Sequence, residues 1–162
     1  MIVLRPSAGF AFSHPAHIVA LGFGAGLAPL APGTAGTLAA WPAGWALAAM
    51  VPPALALALV ALLFAIGVWA CQLTGERLGV PDHGSMVWDE MVAFLLVLVI
   101  VPPSLAWQAA AFVLFRLFDI AKPPPIRWFE RRYRGGFGVM FDDIIAAGYA
   151  LIVLALAKRV LF

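Results

Sequence analysis

Charge is what this sequence has least of. Only 11% of its 162 residues are Asp, Glu, Lys or Arg, where a soluble domain carries about 25%. Mean hydropathy is +1.01, and 64% of the residues are hydrophobic. That balance argues against a water-soluble globule and for an integral membrane protein. Polar stretches are too short for a second unit, so residues 1–162 read as a single membrane-embedded domain. A lone cysteine, Cys71, leaves no partner for an internal disulfide. The net charge of +2 is small and basic residues lie beside acidic ones, which removes the clustered basic face of a nucleic-acid binder. The N-terminus lacks a basic region running into a clean apolar one, so no cleavable signal peptide is expected.

What is present is a set of apolar segments punctuated by proline. Residues 38–51 end at Pro52-Pro53, residues 54–73 carry no charge, and residues 88–101 end at Pro102-Pro103. Residues 105–118 and 144–157 complete the set. Twenty residues cross a hydrocarbon core of about 30 Å, and a proline cannot continue the hydrogen-bonded helix before it. The pattern predicts an all-α fold: a compact polytopic helical bundle with four or five spans and two proline-turned hairpins. The first apolar stretch, residues 16–28, is too short to span at about 1.5 Å per residue and reads as a re-entrant or interfacial helix. If the proline turns share one membrane face, loops 29–37, 74–90 and 119–143 share the other. Arg127, Arg131, Arg132 and Arg134 make that second face cytoplasmic. Lys158 and Arg159 then fall on the far side, against the trend.

The scarce charges are concentrated in three places along that face. "DHGSMVWDE" holds Asp82, His83, Asp89 and Glu90; "RLFDIAKP" holds Arg116, Asp119 and Lys122; "GGFGVMFDD" ends in Asp142 and Asp143. Carboxylates at a membrane boundary suit a hard divalent cation. Each has a plainer reading. Asp89, Glu90, Asp142 and Asp143 all stand where helices are expected to begin, where an acid caps free N–H groups and meets the positive dipole end. Capping accounts for one acid of each pair but not for two. Asp119 lies near a helix end, where the dipole disfavours an anion; its local partners are Arg116 and Lys122, each three residues away. Gly33-Thr34 and Gly36-Thr37 precede an apolar helix, as an anion site or as a loop capped by Thr37. His83 reads as a metal ligand, a general base or a solvated side chain. His17 is expected to cap or touch loop 29–37, and His14 to lie at the interface.

Two other patterns fail. "GFGAG" has no strand before it, so it is no dinucleotide fingerprint. Cys71 and Arg77 have the spacing of a cysteine-phosphatase loop without its glycine cradle, so Cys71 reads as a packing residue.

Taken together, "LAPGTAGTLAA", "DHGSMVWDE", "FRLFDIAKPPPIRWFE" and "GGFGVMFDDIIAAG" resemble the motifs of the bacterial phosphatidylglycerophosphatase A family, in order and over about residues 17–148. The resemblance implies an Mg²⁺-dependent, all-helical, multi-pass enzyme of the inner membrane with its active site facing the cytoplasm. Such enzymes convert phosphatidylglycerophosphate to phosphatidylglycerol and phosphate. It implies Asp89, Glu90, Asp119, Asp142 and Asp143 as metal-binding and catalytic carboxylates, with His83 beside them. Thr34, Thr37, Lys122 and Arg127 would hold the phosphate, and Trp128, Phe129 and Tyr133 would anchor the loop at head-group level. The triple proline at 123–125 departs from the family in loop shape only. Water or an aspartate serves as nucleophile, and a dimer is compatible with so small an enzyme. The competing reading is a metal or anion transporter with carboxylates at one face; crowding at one face, rather than at the midplane, weighs against it.

Overall fold

The computed structural model describes residues 5–161, without the side chains of Glu130, Arg131 and Leu161; the charge reading of Arg131 therefore lies outside the described residues. Among the described residues the fold is entirely helical: α1 (Ala8–Ala11), α2 (Pro15–Ala20), a 3-10 segment (Gly22–Leu27), α3 (Pro32–Met50), α4 (Pro53–Leu78), α5 (Trp88–Ile100), α6 (Leu105–Ala121), α7 (Ile126–Arg132) and α8 (Gly135–Leu161). The starts are written locally. Ser7 and Ser104 cap α1 and α6, and the His14 ring accepts from the Ala16 amide to cap α2, so His14 has a structural role beyond its expected place at the interface. Pro15 and Pro53 occupy first-turn positions, where a missing N–H costs nothing. Gly79, at φ 69°, ends α4 in the left-handed conformation.

The proline-punctuated segments are helices joined as expected, yet they do not pair simply as hairpins. α3 packs chiefly on α5, while α4, α5 and α6 all pack on α8. α5 is the central rod: Val92, Ala93, Phe94, Leu95, Val97 and Leu98 are all buried. Gly44 permits its close approach to α3, because a methyl there would sit 2.5 Å from a Leu98 carbon. The stretch 16–28 is too short to span, as expected, and divides into α2 and the 3-10 segment. The partner found for His17 is on α4 rather than in loop 29–37: it hydrogen-bonds the Thr74 hydroxyl at 2.9 Å. α2 lies against α4, which carries His17 away from that loop.

α4 and α8 are each long and apolar enough to cross a membrane. At 1.5 Å per residue they run about 40 Å, α3 and α6 about 25–28 Å, and α5 only about 20 Å. Large apolar side chains face outward on four of them, including Met50 on α3, Leu55 and Leu62 on α4, Val113 and Ile120 on α6, and Ile152 and Leu156 on α8.

Candidate active site

The chain's alternation up and down the bundle puts the start of α3, the start of α5, the end of α6 and the third turn of α8 at one end, opposite the proline turns. Every carboxylate singled out from the sequence is there. Asp89 and Glu90 occupy the first turn of α5, where the helix dipole favours anions. The cap residue is Val87, which makes no side-chain cap bond.

Asp142 and Asp143 depart from expectation. α8 begins at Gly135, so they lie two turns inside a helix and capping cannot explain them. The glycine run that reads as a loop is helical because it must pass close to α4. A methyl at Gly136 would collide with the Val68 carbonyl, and the Gly136 amide donates to Gln72 Oε1 at 2.7 Å. Gln72, sixty-four residues away, is thus the cap of α8.

Burial is severe. Asp89, Asp119, Asp142 and Asp143 are 6, 8, 4 and 3% exposed. Asp143 lies within electrostatic reach of Asp89, Asp119, Asp142 and Glu90, and Asp82 acts on Asp89 and Glu90 from the rim. Two cations offset part of this charge. Arg116 Nη1 lies 2.6 Å from Asp119 Oδ2 and 2.9 Å from Glu90 Oε1, so the local partner expected for Asp119 is realised and also ties α6 to α5. Lys122, expected beside Asp119, pairs with Asp142, its Nζ 2.7 Å from Oδ2. It reaches α8 because it ends α6 in the left-handed region, at φ 42°, which turns the chain back across the site.

Buried polar atoms nearly always find partners, yet Asp89 Oδ1, Glu90 Oε2 and Asp143 Oδ2 have none. An unneutralised cluster of this kind is costly in a low-dielectric interior. The donor set is all oxygen, which fits Mg²⁺. Among the described residues no three His, Cys, Asp or Glu side chains converge into a ready-made metal cage. Mg²⁺ does not require one, since it characteristically takes one or two carboxylates and completes its shell with water and phosphate oxygens. The orphaned oxygens are therefore compatible with the ion.

The surrounding groups sort themselves. The start of α3 abuts the cluster, with Gly33 against the Glu90 carboxylate; helix geometry leaves the Gly33 and Thr34 amides without intrahelical acceptors. Thr34 lies in that first turn, partly exposed. Thr37 is fully buried and donates to the Gly33 carbonyl at 2.9 Å, so its proton is committed within the helix. His83 Nδ1 accepts from the Ser85 amide at 3.0 Å. That nitrogen therefore carries no proton, and the neutral ring presents Nε2–H, which is buried and unpartnered. As the geometry stands His83 is a donor, not a base. Arg127 is exposed and donates to the Ala121 carbonyl at 3.2 Å, closing the end of α6. Cys71 is fully buried, as a packing residue should be. Sequence reasoning missed the Arg116–Glu90 and Gln72–Gly136 bonds; both cross long stretches of chain and leave no local signal.

Similarity to known proteins identifies the family. A family model described as phosphatidylglycerophosphatase A matches residues 18–158. A phosphatidylglycerophosphatase A from Haemophilus influenzae is 49% identical over 143 residues, covering 87% of each chain. One from Escherichia coli is 48% identical over 135 residues, 83% of this chain and 78% of the relative. A protein from Bacteroides thetaiotaomicron named a putative phosphatidylinositol-3-phosphatase is 40% identical over 151 residues, 89% of this chain and 94% of the relative. No solved structure matches. With the model spanning most of its length and relatives near half-identical, the chain belongs to the phosphatidylglycerophosphatase A family.

Proposed function

We propose that the protein hydrolyses the terminal phosphomonoester of phosphatidylglycerophosphate, giving phosphatidylglycerol and inorganic phosphate, in an Mg²⁺-dependent reaction at the cytoplasmic face of the inner membrane. Family membership makes the chain an enzyme, a phosphoric monoester hydrolase, rather than a transporter. The names of the relatives differ in head group and share the phosphatidyl part, so a phosphatidyl lipid is the substrate class. The observation that carries the reading is the cluster of buried Asp89, Asp119, Asp142 and Asp143 with half-buried Glu90, in which three oxygens are unpartnered.

Mg²⁺ would be held by a subset of those carboxylates, with Asp89, Glu90 and Asp143 offering free oxygens; bound there, it supplies charge neutralisation for the phosphoryl oxygens. The remaining work falls to the chain. Phosphoryl transfer asks mainly for placement and electrostatic stabilisation. Lys122, already drawn over Asp142, is placed to exchange that partner for a phosphate oxygen. The α3 amides at Gly33 and Thr34 add donors at a positive dipole end, and His83 Nε2–H adds another. Arg116 fixes Glu90 through one oxygen and leaves the second directed elsewhere. With His83 a donor, deprotonation of an attacking water falls to a carboxylate. An aspartyl nucleophile is the other route, and trapping a phosphorylated aspartate would select it.

A multi-pass bundle follows from the outward apolar faces of α3, α4, α6 and α8, which are disfavoured in water and satisfied in lipid. The basic residues Arg127, Arg132 and Arg134 at the carboxylate end make it the cytoplasmic one. The decisive assay is phosphate release from phosphatidylglycerophosphate by purified protein with Mg²⁺ and then with EDTA. Release that stops on chelation is expected; none from folded, Mg²⁺-supplied protein would overturn the substrate, and release that survives EDTA would overturn the metal.

A further inference from the structure

On one flank of the bundle, Leu57, Val60 and Phe64 of α4 face Leu96 of α5 and Phe141 and Ile144 of α8 across an open groove of about 320 Å³. Its lining is wholly apolar, and from Leu57 to Phe64 it follows α4 for about 10 Å. Outward apolar residues elsewhere on the bundle need no explanation beyond lipid contact. This groove differs in two respects.

Its upper end continues into an aromatic stack. Phe141 lies 5.2 Å from Phe137, Phe137 5.9 Å from Tyr133, and Tyr133 5.8 Å from Phe129, centroid to centroid. Phe64 meets Phe137 edge-on from the opposite wall at 6.1 Å. The stack leads from the groove to α7, where Arg127 and Arg132 are exposed. Apolar surface below and cationic surface above complement a molecule with an acyl chain and an anionic head.

The groove also adjoins the carboxylate cluster. Val60, Phe64, Gly67 and Cys71 form one stripe along α4 at helical spacing. The first two line the groove, while Cys71 lies within electrostatic reach of Asp89, Asp82 and Asp143. Between them, at Gly67, stand the side chains of Met140 and Trp88: a methyl there would sit 2.5 Å from the Met140 sulfur and 2.7 Å from Trp88 Cδ1. Phe141 and Ile144, on the groove wall, flank Asp142 and Asp143 in sequence.

We propose that this groove seats an acyl chain of the phospholipid whose head group enters the carboxylate cluster. The proposal rests on the lipid-phosphatase reading and adds the part of the substrate that the chemistry does not touch. The enzyme then recognises its substrate at two points, a phosphomonoester and a length of hydrocarbon, and chain length becomes a determinant of turnover.

The test uses full-length protein in detergent with dioleoyl and dihexanoyl phosphatidylglycerophosphate. Ala61 lines the groove from an exposed position, so Ala61→Trp fills it without disturbing the core. Leu59→Trp, about 160° around α4 at 100° per residue, is the control of similar bulk. Ala61→Trp is expected to lower kcat/KM about tenfold for the dioleoyl substrate and to leave the dihexanoyl substrate and the Leu59→Trp protein unchanged within twofold. A phospholipid with a photoreactive diazirine midway along its chain should label α4 and α8 peptides, and lose that label in Ala61→Trp. Equal losses for both substrates, or none for either, would overturn the proposal. Label at the groove with unchanged dioleoyl turnover would overturn it too, making the groove a seat for bulk lipid only. If the unmodified protein hydrolyses neither substrate, the underlying lipid-phosphatase reading fails and the proposal falls with it.

Discussion

The middle of the bundle and its carboxylate end are built on opposite terms. Midway along α3, α5 and α6, aromatic rings fill the space between helices: Trp41 stacks on Phe112 at 5.5 Å, Phe94 meets both rings, and the Trp41 indole donates to Gln108 Oε1 at 2.8 Å. At the carboxylate end, glycines let backbones and acids crowd together, and three buried carboxylate oxygens go unpartnered. One region commits its contacts to stability and the other holds charge in a state that only a ligand completes. The difference teaches where mutations should separate activity from stability.

The sharpest break is at Asp89. Asp89→Asn keeps the shape and removes one of several mutually repelling charges, so turnover should fall by about 10³ or more while the melting temperature holds or rises. Loss of both together would mean the acid serves folding. Arg116→Met comes next. It strands Glu90 and Asp119 in a buried setting, where removing one partner of an ion pair costs about 3–5 kcal/mol; calorimetry should show a lower melting temperature, and unchanged stability would refute the bridging role. On the opposite side of the comparison, Trp41→Phe leaves Gln108 without its donor. It should cost about 1–3 kcal/mol of stability with kcat/KM unaltered, as read from denaturant melts and phosphate release on one preparation.

The smallest effect concerns His17, outside both regions. Burial first, then the nearby positive groups of His14 and Arg77, lower its pKa from the usual 6.5. The unfolded chain therefore binds the proton more readily, so the stabilising contribution is complete above pH 6.5 and is lost as pH falls below it. His17→Asn should flatten the wild-type loss of melting temperature between pH 6.5 and 5. An unchanged slope would assign that loss to other groups.

How much of this was legible depended on whether the signal was local. The charge-free run of α4 and the proline pairs declared themselves, because hydrophobic length and a missing N–H act within a few residues. The carboxylates were legible as a set, since so few charges exist in the chain and each demanded a reason. Their setting was not. "GGFGVM" reads as a loop from intrinsic preference, and becomes the first turns of α8 only through Gln72 and the α4 backbone. His83 read equally as a metal ligand, a general base or a solvated side chain until the Ser85 amide fixed its tautomer. Lys122 was expected beside Asp119, and its own left-handed backbone carries it to Asp142. Each is a tertiary fact.

The shortness of α5 has a consequence of its own. If this rod of about 20 Å ends near the far boundary of a core of about 30 Å, its first turn lies well below the near boundary. Asp89 and Glu90 would then sit at the bottom of a well sunk into the leaflet. A lipid phosphate would reach them by a short inward move from head-group level, with most of its hydrocarbon staying in the bilayer. Soluble phosphate esters, by contrast, would have to leave water to reach the same depth, and discrimination against them would follow from depth alone.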